Sequence, residues 1–147
     1  DLAGPCLFAV FMGISRMLYG KMSGNLNLTK TMLLSGLLCV SCYLLASLCP
    51  VPLLGLTGCA LCGFSVGIMW PGTISLSSQK YPQGGTAMFA FLALAGDFGG
   101  TISPAMVGSL SELADGNLKA GLLAATIFPI LLVIVLLTVN RRMKGSI

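Results

Sequence analysis

One carboxylate stands inside an apolar stretch of this sequence: Asp97, within GGTAMFAFLALAGDFGGTISPAMVG. A carboxylate in hydrocarbon is costly unless protonated, paired or wet, and such residues mark substrate or ion pathways. At about 100° per helical residue, the stripe through Asp97 holds Thr86, Ala90, Ala93, Thr101, Pro104 and Gly108. All are small or polar, whereas Met88, Leu92, Ala95, Ile102 and Met106 lie broadly opposite. This pattern predicts that Asp97 faces the interior of a helical bundle. There it would serve as a proton site or as an acceptor for solute hydroxyls. The alternative is a protonated Asp97 tied to Thr101 or to a backbone carbonyl, linking helices and doing no chemistry.

Other chemistry-bearing residues lie in CGFSVGIMWPGTISLSSQKYP. Ser65, Met69 and Thr73 recur at i, i+4 and i+8, and Trp70 sits beside that stripe. An aromatic ring flanked by hydroxyls is what a sugar site presents, while a lone Trp is also a packing or interface anchor. Gly55, Cys59, Gly63, Gly67 and Pro71 form a second stripe in the same stretch. A ridge of small residues lets helices approach closely, either for packing alone or for rocking during a transport cycle. Pro71 cannot donate to the Gly67 carbonyl, so a bend is expected there.

The cysteines need separate treatment. Cys39 and Cys42, and Cys59 and Cys62, are two C-x2-C pairs, formally a zinc-ribbon pattern. They are also symmetric about the Pro50 turn, so an antiparallel hairpin brings them to similar depth. Apolar helices offer a dication no polar support, and buried packing is the expected role, with no metal or other cofactor. Cys6 and Cys49 are likewise expected to pack and not to pair. Histidine is absent, which removes the commonest general base and argues against histidine-dependent membrane hydrolases; the chain is not expected to be an enzyme.

The elements that must position these residues follow from composition. Of 147 residues, 56% are hydrophobic and 8% charged, far below the roughly 25% charged of a soluble domain. Five stretches are long and apolar enough to cross a membrane: Ala3 to Met22, Met32 to Cys49, Leu53 to Leu76, Thr86 to Leu110 and Leu118 to Val139. Each approaches the roughly 20 residues needed to cross hydrocarbon. The fold class is therefore an all-α polytopic transmembrane bundle forming one domain over residues 1–147. The net charge of +4 falls between the apolar runs and makes no nucleic-acid patch. Lys21, Lys30, Lys80, Arg141, Arg142 and Lys144 fall on one side, and only Lys119 on the other. The basic side is expected to be cytoplasmic, with Asp1 outside and the C-terminus inside a cell membrane. Asn27-Leu28-Thr29 fits a glycosylation sequon but would then lie in the cytoplasm. The start at Asp1, without a basic leader, reads as that of a piece of a longer chain.

The first span ends in GISRMLYGKMSG. Gly13, Arg16, Gly20, Lys21 and Ser23 there resemble the R-x-x-x-G-[KR] cytoplasmic loop motif between helices eight and nine of major facilitator superfamily transporters, with Gly24 where the family usually has an acidic residue. The third and fourth spans resemble helices ten and eleven, and a Pro after an aromatic is similar to sugar and fucose permeases. The resemblance implies helices eight to twelve of a twelve-helix transporter whose N-terminal half is a partner. It would move a small, sugar-like solute by alternating access with a coupling proton or sodium ion. Site residues on this reading are Asp97, Trp70, Ser65, Thr73 and Thr101. The rival is a membrane assembly or channel subunit, held together by glycine ridges and without a substrate cycle.

Overall fold

Apolar runs surrounded by lipid satisfy their backbone N–H and C=O groups only within helices or closed barrels, and this chain forms helices. The computed structural model describes residues 2–22, 24, 27–49 and 51–144, with side chains to residue 141. Asp1, Ser23 and Pro50, which entered the reading above, lie outside the described residues. The elements are α1 (Ala3–Met22), α2 (Leu28–Leu48), α3 (Pro52–Gly67), α4 (Met69–Lys80), α5 (Gly85–Leu113), α6 (Leu118–Ala125) and α7 (Ile127–Lys144). They make five spans, because α3 with α4 and α6 with α7 are each one interrupted crossing.

Proline explains both interruptions. Pro71 cannot donate to the Gly67 carbonyl, and α3 ends at Gly67, with Ile68 as the junction before α4. Pro129 lies four residues beyond Ala125, where α6 ends. At that second break the Thr126 hydroxyl donates to the Leu122 carbonyl at 3.2 Å. Between α5 and α6 the chain turns through two residues of positive φ, Asp115 at 55° and Gly116 at 79°. Gly116 N–H closes the turn on the Ser111 carbonyl at 2.9 Å, the left-handed ending common to helices.

Asn27, read above only as part of a sequon, caps α2: its side-chain oxygen accepts from Lys30 N–H at 3.3 Å. Asn27→Ala is expected to destabilise the chain by about 1 kcal/mol, seen as a lowered thermal midpoint in detergent. An unchanged midpoint would show that the first turn of α2 does not need its cap.

Within the bundle α2 is central, touching α3 and α4 on one side and α6 and α7 on the other. It is antiparallel to α3: Gly58 lies against the Cys42 carbonyl and Ala46 N, and Gly72 lies against the Met32 side chain. Met32 is almost fully enclosed. Beyond α3 sits α1, running parallel to it, with Gly4 beside Cys59, Gly63 beside Phe8 and Gly67 beside Met12 and Ser15. Gly63 and Gly67 are needed because a Cβ at Gly67 would sit 2.8 Å from the Met12 carbonyl oxygen, and one at Gly63 would overlap the Phe8 carbonyl. The small-residue ridge of the third span therefore packs two helix backbones together, although a Cβ at Gly55 would meet nothing within 4 Å. The last span turns Leu131 and Val135 outward and Val133 and Leu136 inward.

This arrangement separates the charged ends. Lys119 Nζ donates to the Cys49 carbonyl at 3.1 Å, beside the start of α3. The interrupted crossing then runs 29 residues from Pro52 to Lys80, about 40 Å away. Lys21, Lys30 and Arg141 lie at the Lys80 end, because α1 runs with α3 while α2 runs against it and the last span.

Candidate functional site

α5 is the outlier of the bundle. It packs on α6, with no other large helix contact among the described residues, and no residue of its most apolar window is buried. The docked face carries the half-buried Ser103, Val107 and Leu110 together with buried Ser111. Gly121 of α6 fits beneath it, where a Cβ would come within 2.6 Å of the Val107 carbonyl oxygen.

This corrects the expectation for Asp97. Asp97, Thr86, Ala90, Ala93, Thr101, Pro104 and Gly108 are all exposed, as are Ala95, Ile102 and Met106 opposite them, so the small and polar stripe is not buried against the other spans. The matching expectation for the α5 glycines holds at one place only. A Cβ added at Gly100 or Gly108 would meet nothing within 4 Å, whereas Gly96 lies against the Trp70 ring. The physical reason is that lipid gives helices no hydrophobic drive to associate. A small stripe is buried only where a complementary surface reaches it, and α6 reaches the other face.

The contact between Gly96 and Trp70 assembles part of the candidate site. A Cβ at Gly96 would fall 2.8 Å from Trp70 Cζ3, so the indole lies on the backbone of α5 one residue before Asp97. Trp70 remains 41% exposed. Thr73 is one turn further along α4, and its hydroxyl donates to the Met69 carbonyl at 2.7 Å. Thr101 likewise donates to the Asp97 backbone carbonyl at 2.9 Å. That bond leaves the Asp97 carboxylate untouched, so the link imagined between the two side chains is not made. The contact thus sets the Trp70 ring beside the exposed segment that carries Asp97 and Thr101, with Thr73 half-buried one turn away on α4.

Ser65 does not belong to this group. It is fully buried, at 0% exposure, and its hydroxyl donates to the Cys62 carbonyl at 2.8 Å. The residues of the loop motif are also apart from this group. Gly13 and Arg16 are exposed on α1, with open space where a Gly13 Cβ would be, and Gly20 and Lys21 lie in its last turns.

The feature that sequence reasoning did not foresee is a cavity of about 320 Å³ between α1, α2, α3 and α6. Phe8, Tyr43, Leu122, Cys42, Cys59 and Cys62 are among its walls. All six cysteines are free. Cys39 and Cys62 have their sulfurs 3.9 Å apart across the seam of α2 and α3. The symmetry of the two C-x2-C pairs about the hairpin was the signal for that proximity. Nothing in the spacing marked the space beside it. Among the described residues no group of three or more His, Cys, Asp or Glu is placed to hold a metal.

An all-α fold with five helices long and apolar enough to cross a membrane defines the chain as a multi-pass membrane protein. No protein-family model, curated protein or solved structure matches it.

Proposed function

We propose that this chain is the C-terminal part of a secondary transporter of the major facilitator type, moving a small, sugar-like solute by alternating access. One observation carries the reading: Asp97 lies near mid-depth in a 29-residue apolar helix, on a small-residue face that the other spans leave uncovered. Turned toward lipid, a charged side chain there is costly. Turned toward a water-filled pathway, it is solvated and available.

On this reading the face of Asp97 and Thr101, with Trp70 and Thr73 beside it, is one wall of the pathway. The N-terminal helical half supplies the other. The indole offers a flat apolar surface to a sugar ring, and Asp97 accepts from its hydroxyls or carries the coupling proton; a sodium ion is the other candidate for coupling. The end bearing Lys21, Lys30, Lys80 and Arg141 faces the cytoplasm, where basic residues concentrate. Ser65 takes no part.

The test is uptake of labelled sugars by the full-length protein in vesicles, at matched expression and across pH, for wild type, Asp97→Asn and Trp70→Ala. Asp97→Asn is expected to lower uptake at least tenfold, equivalent to about 1.4 kcal/mol of barrier, and to flatten its pH dependence. Trp70→Ala is expected to raise the half-saturating sugar concentration. Normal uptake and pH response in the Asp97→Asn variant would remove the carboxylate from the pathway. Loss of assembly with unaltered uptake would favour an assembly-subunit role for the same face.

A further inference from the structure

We propose that Cys62 and Cys39 form a redox pair in the membrane interior, oxidised to a disulfide by a lipophilic organic hydroperoxide that enters the cavity between α1, α2, α3 and α6. The proposal is independent of transport and rests on three observations. The two sulfurs already lie 3.9 Å apart on different helices. Cys62 is part of the cavity wall and partly accessible, whereas Cys39 stands behind it at 3% exposure. The cavity, about 320 Å³, is walled largely by apolar groups, among them Phe8, Ala46 and Leu122, and so favours an apolar peroxide over one that must leave water.

The accessibility difference sets the order of events. The Cys62 sulfur attacks the terminal oxygen of the hydroperoxide. An S–O bond forms, the O–O bond breaks, and the departing alkoxide takes the thiol proton and leaves as an alcohol. Cys62 is then a sulfenic acid, the first and reversible rung of thiol oxidation. Cys39, in contact with it, attacks the Cys62 sulfur. The S–S bond forms, the S–O bond breaks, and hydroxide leaves with the Cys39 proton as water. Two thiols and one hydroperoxide thus give one disulfide, one alcohol and one water. Both end states of the pair are uncharged, which suits hydrocarbon, where a thiolate-bound metal ion would leave charge to be solvated. An S–S bond needs the sulfurs at about 2.05 Å. The helices are already close, with Gly58 against the Cys42 carbonyl, so rotation of the two side chains can bring the sulfurs together.

Cys42 and Cys59 also line the cavity, but the geometry does not pair them in this way. Cys59 points its thiol to the Gly4 carbonyl at 3.7 Å.

The experiment treats the full chain in lipid nanodiscs with cumene hydroperoxide, then denatures it and counts thiols that accept N-ethylmaleimide. Wild type is expected to fall from six adducts to two fewer, with peptide mapping by mass spectrometry joining the Cys39 peptide to the Cys62 peptide. In Cys39→Ala, dimedone present during denaturation is expected to capture a sulfenic acid at Cys62. Six adducts remaining in wild type, or a disulfide mapped to any other pair, overturns the proposal. A dimedone adduct at another cysteine overturns the assigned order of attack. The wild-type mapping stands even if the variant does not fold.

Discussion

Gly63→Val is expected to abolish recovery of a folded chain from detergent extracts or to lower its thermal midpoint sharply. Gly63 is buried where α3 meets α1, and even a Cβ there would overlap the Phe8 carbonyl and come within 2.9 Å of the Phe8 Cα. The obstacle is backbone, so no flexible side chain can yield and the two helices must separate. Separation also opens the Gly67 contact with Met12 and Ser15. In lipid the association rests on close packing, since burying apolar surface away from hydrocarbon gains nothing. Overpacking of this kind costs about 1–3 kcal/mol and sometimes more. Fluorescence-detected size exclusion after a temperature series measures it, with Gly99→Val as the control because a Cβ at Gly99 meets nothing within 4 Å. A wild-type midpoint for Gly63→Val would mean that α1 does not pack along α3 through this ridge.

Gly121→Val is expected to loosen α5 from the bundle. α6 is the helix against which α5 docks, and Gly121 lies under the Val107 carbonyl and the Ser111 hydroxyl. A valine there forces apart the backbones that hold the hairpin, again at about 1–3 kcal/mol. The protein contains one tryptophan, Trp70, whose ring rests on Gly96 of α5, so its fluorescence reports on the docking. In vesicles containing brominated acyl chains, Trp70 of the Gly121→Val variant should be quenched more strongly than that of wild type. Gly108→Val, with no neighbour in reach of its Cβ, should leave quenching unaltered. Equal quenching in all three proteins would show that α5 is held by something other than α6.

Several features required no tertiary information. Apolar length alone identifies the five crossings, because a chain in hydrocarbon has few ways other than helix to satisfy its backbone. Pro71 announces the interruption of the third crossing, since it lacks the N–H that the Gly67 carbonyl needs, whereas the break near Pro129 was not legible, because Pro104 leaves α5 continuous. The alternation of crossings carries Lys80 to the end opposite Lys119. The two C-x2-C pairs lie at similar depth because an antiparallel hairpin sets residues equidistant from its turn level with one another, although packing decided that Cys39 and not Cys42 meets a partner thiol.

Tertiary structure alone decided which small-residue stripe found a partner. Gly55 to Pro71 and Gly96 to Gly108 have the same i, i+4 spacing, yet Gly63 and Gly67 are buried against α1 while Gly100 and Gly108 face open space. Periodicity defines a face of a helix but not what lies opposite it. Inferring that a polar stripe points inward assumes that all its neighbours belong to the same chain. For Asp97 that inference fails: α6 packs on the face bearing Val107 and Ser111, and the carboxylate is exposed. The fate of Ser65 was equally hidden, because the stripe it shares with Thr73 is cut by the break at Ile68 and its own part lies in the packed core. Sequence thus determined what must cross the membrane and that the third crossing is interrupted at Pro71, since those depend on backbone chemistry along one helix. Which residues face one another depended on how the helices fit, and only the tertiary structure decided that.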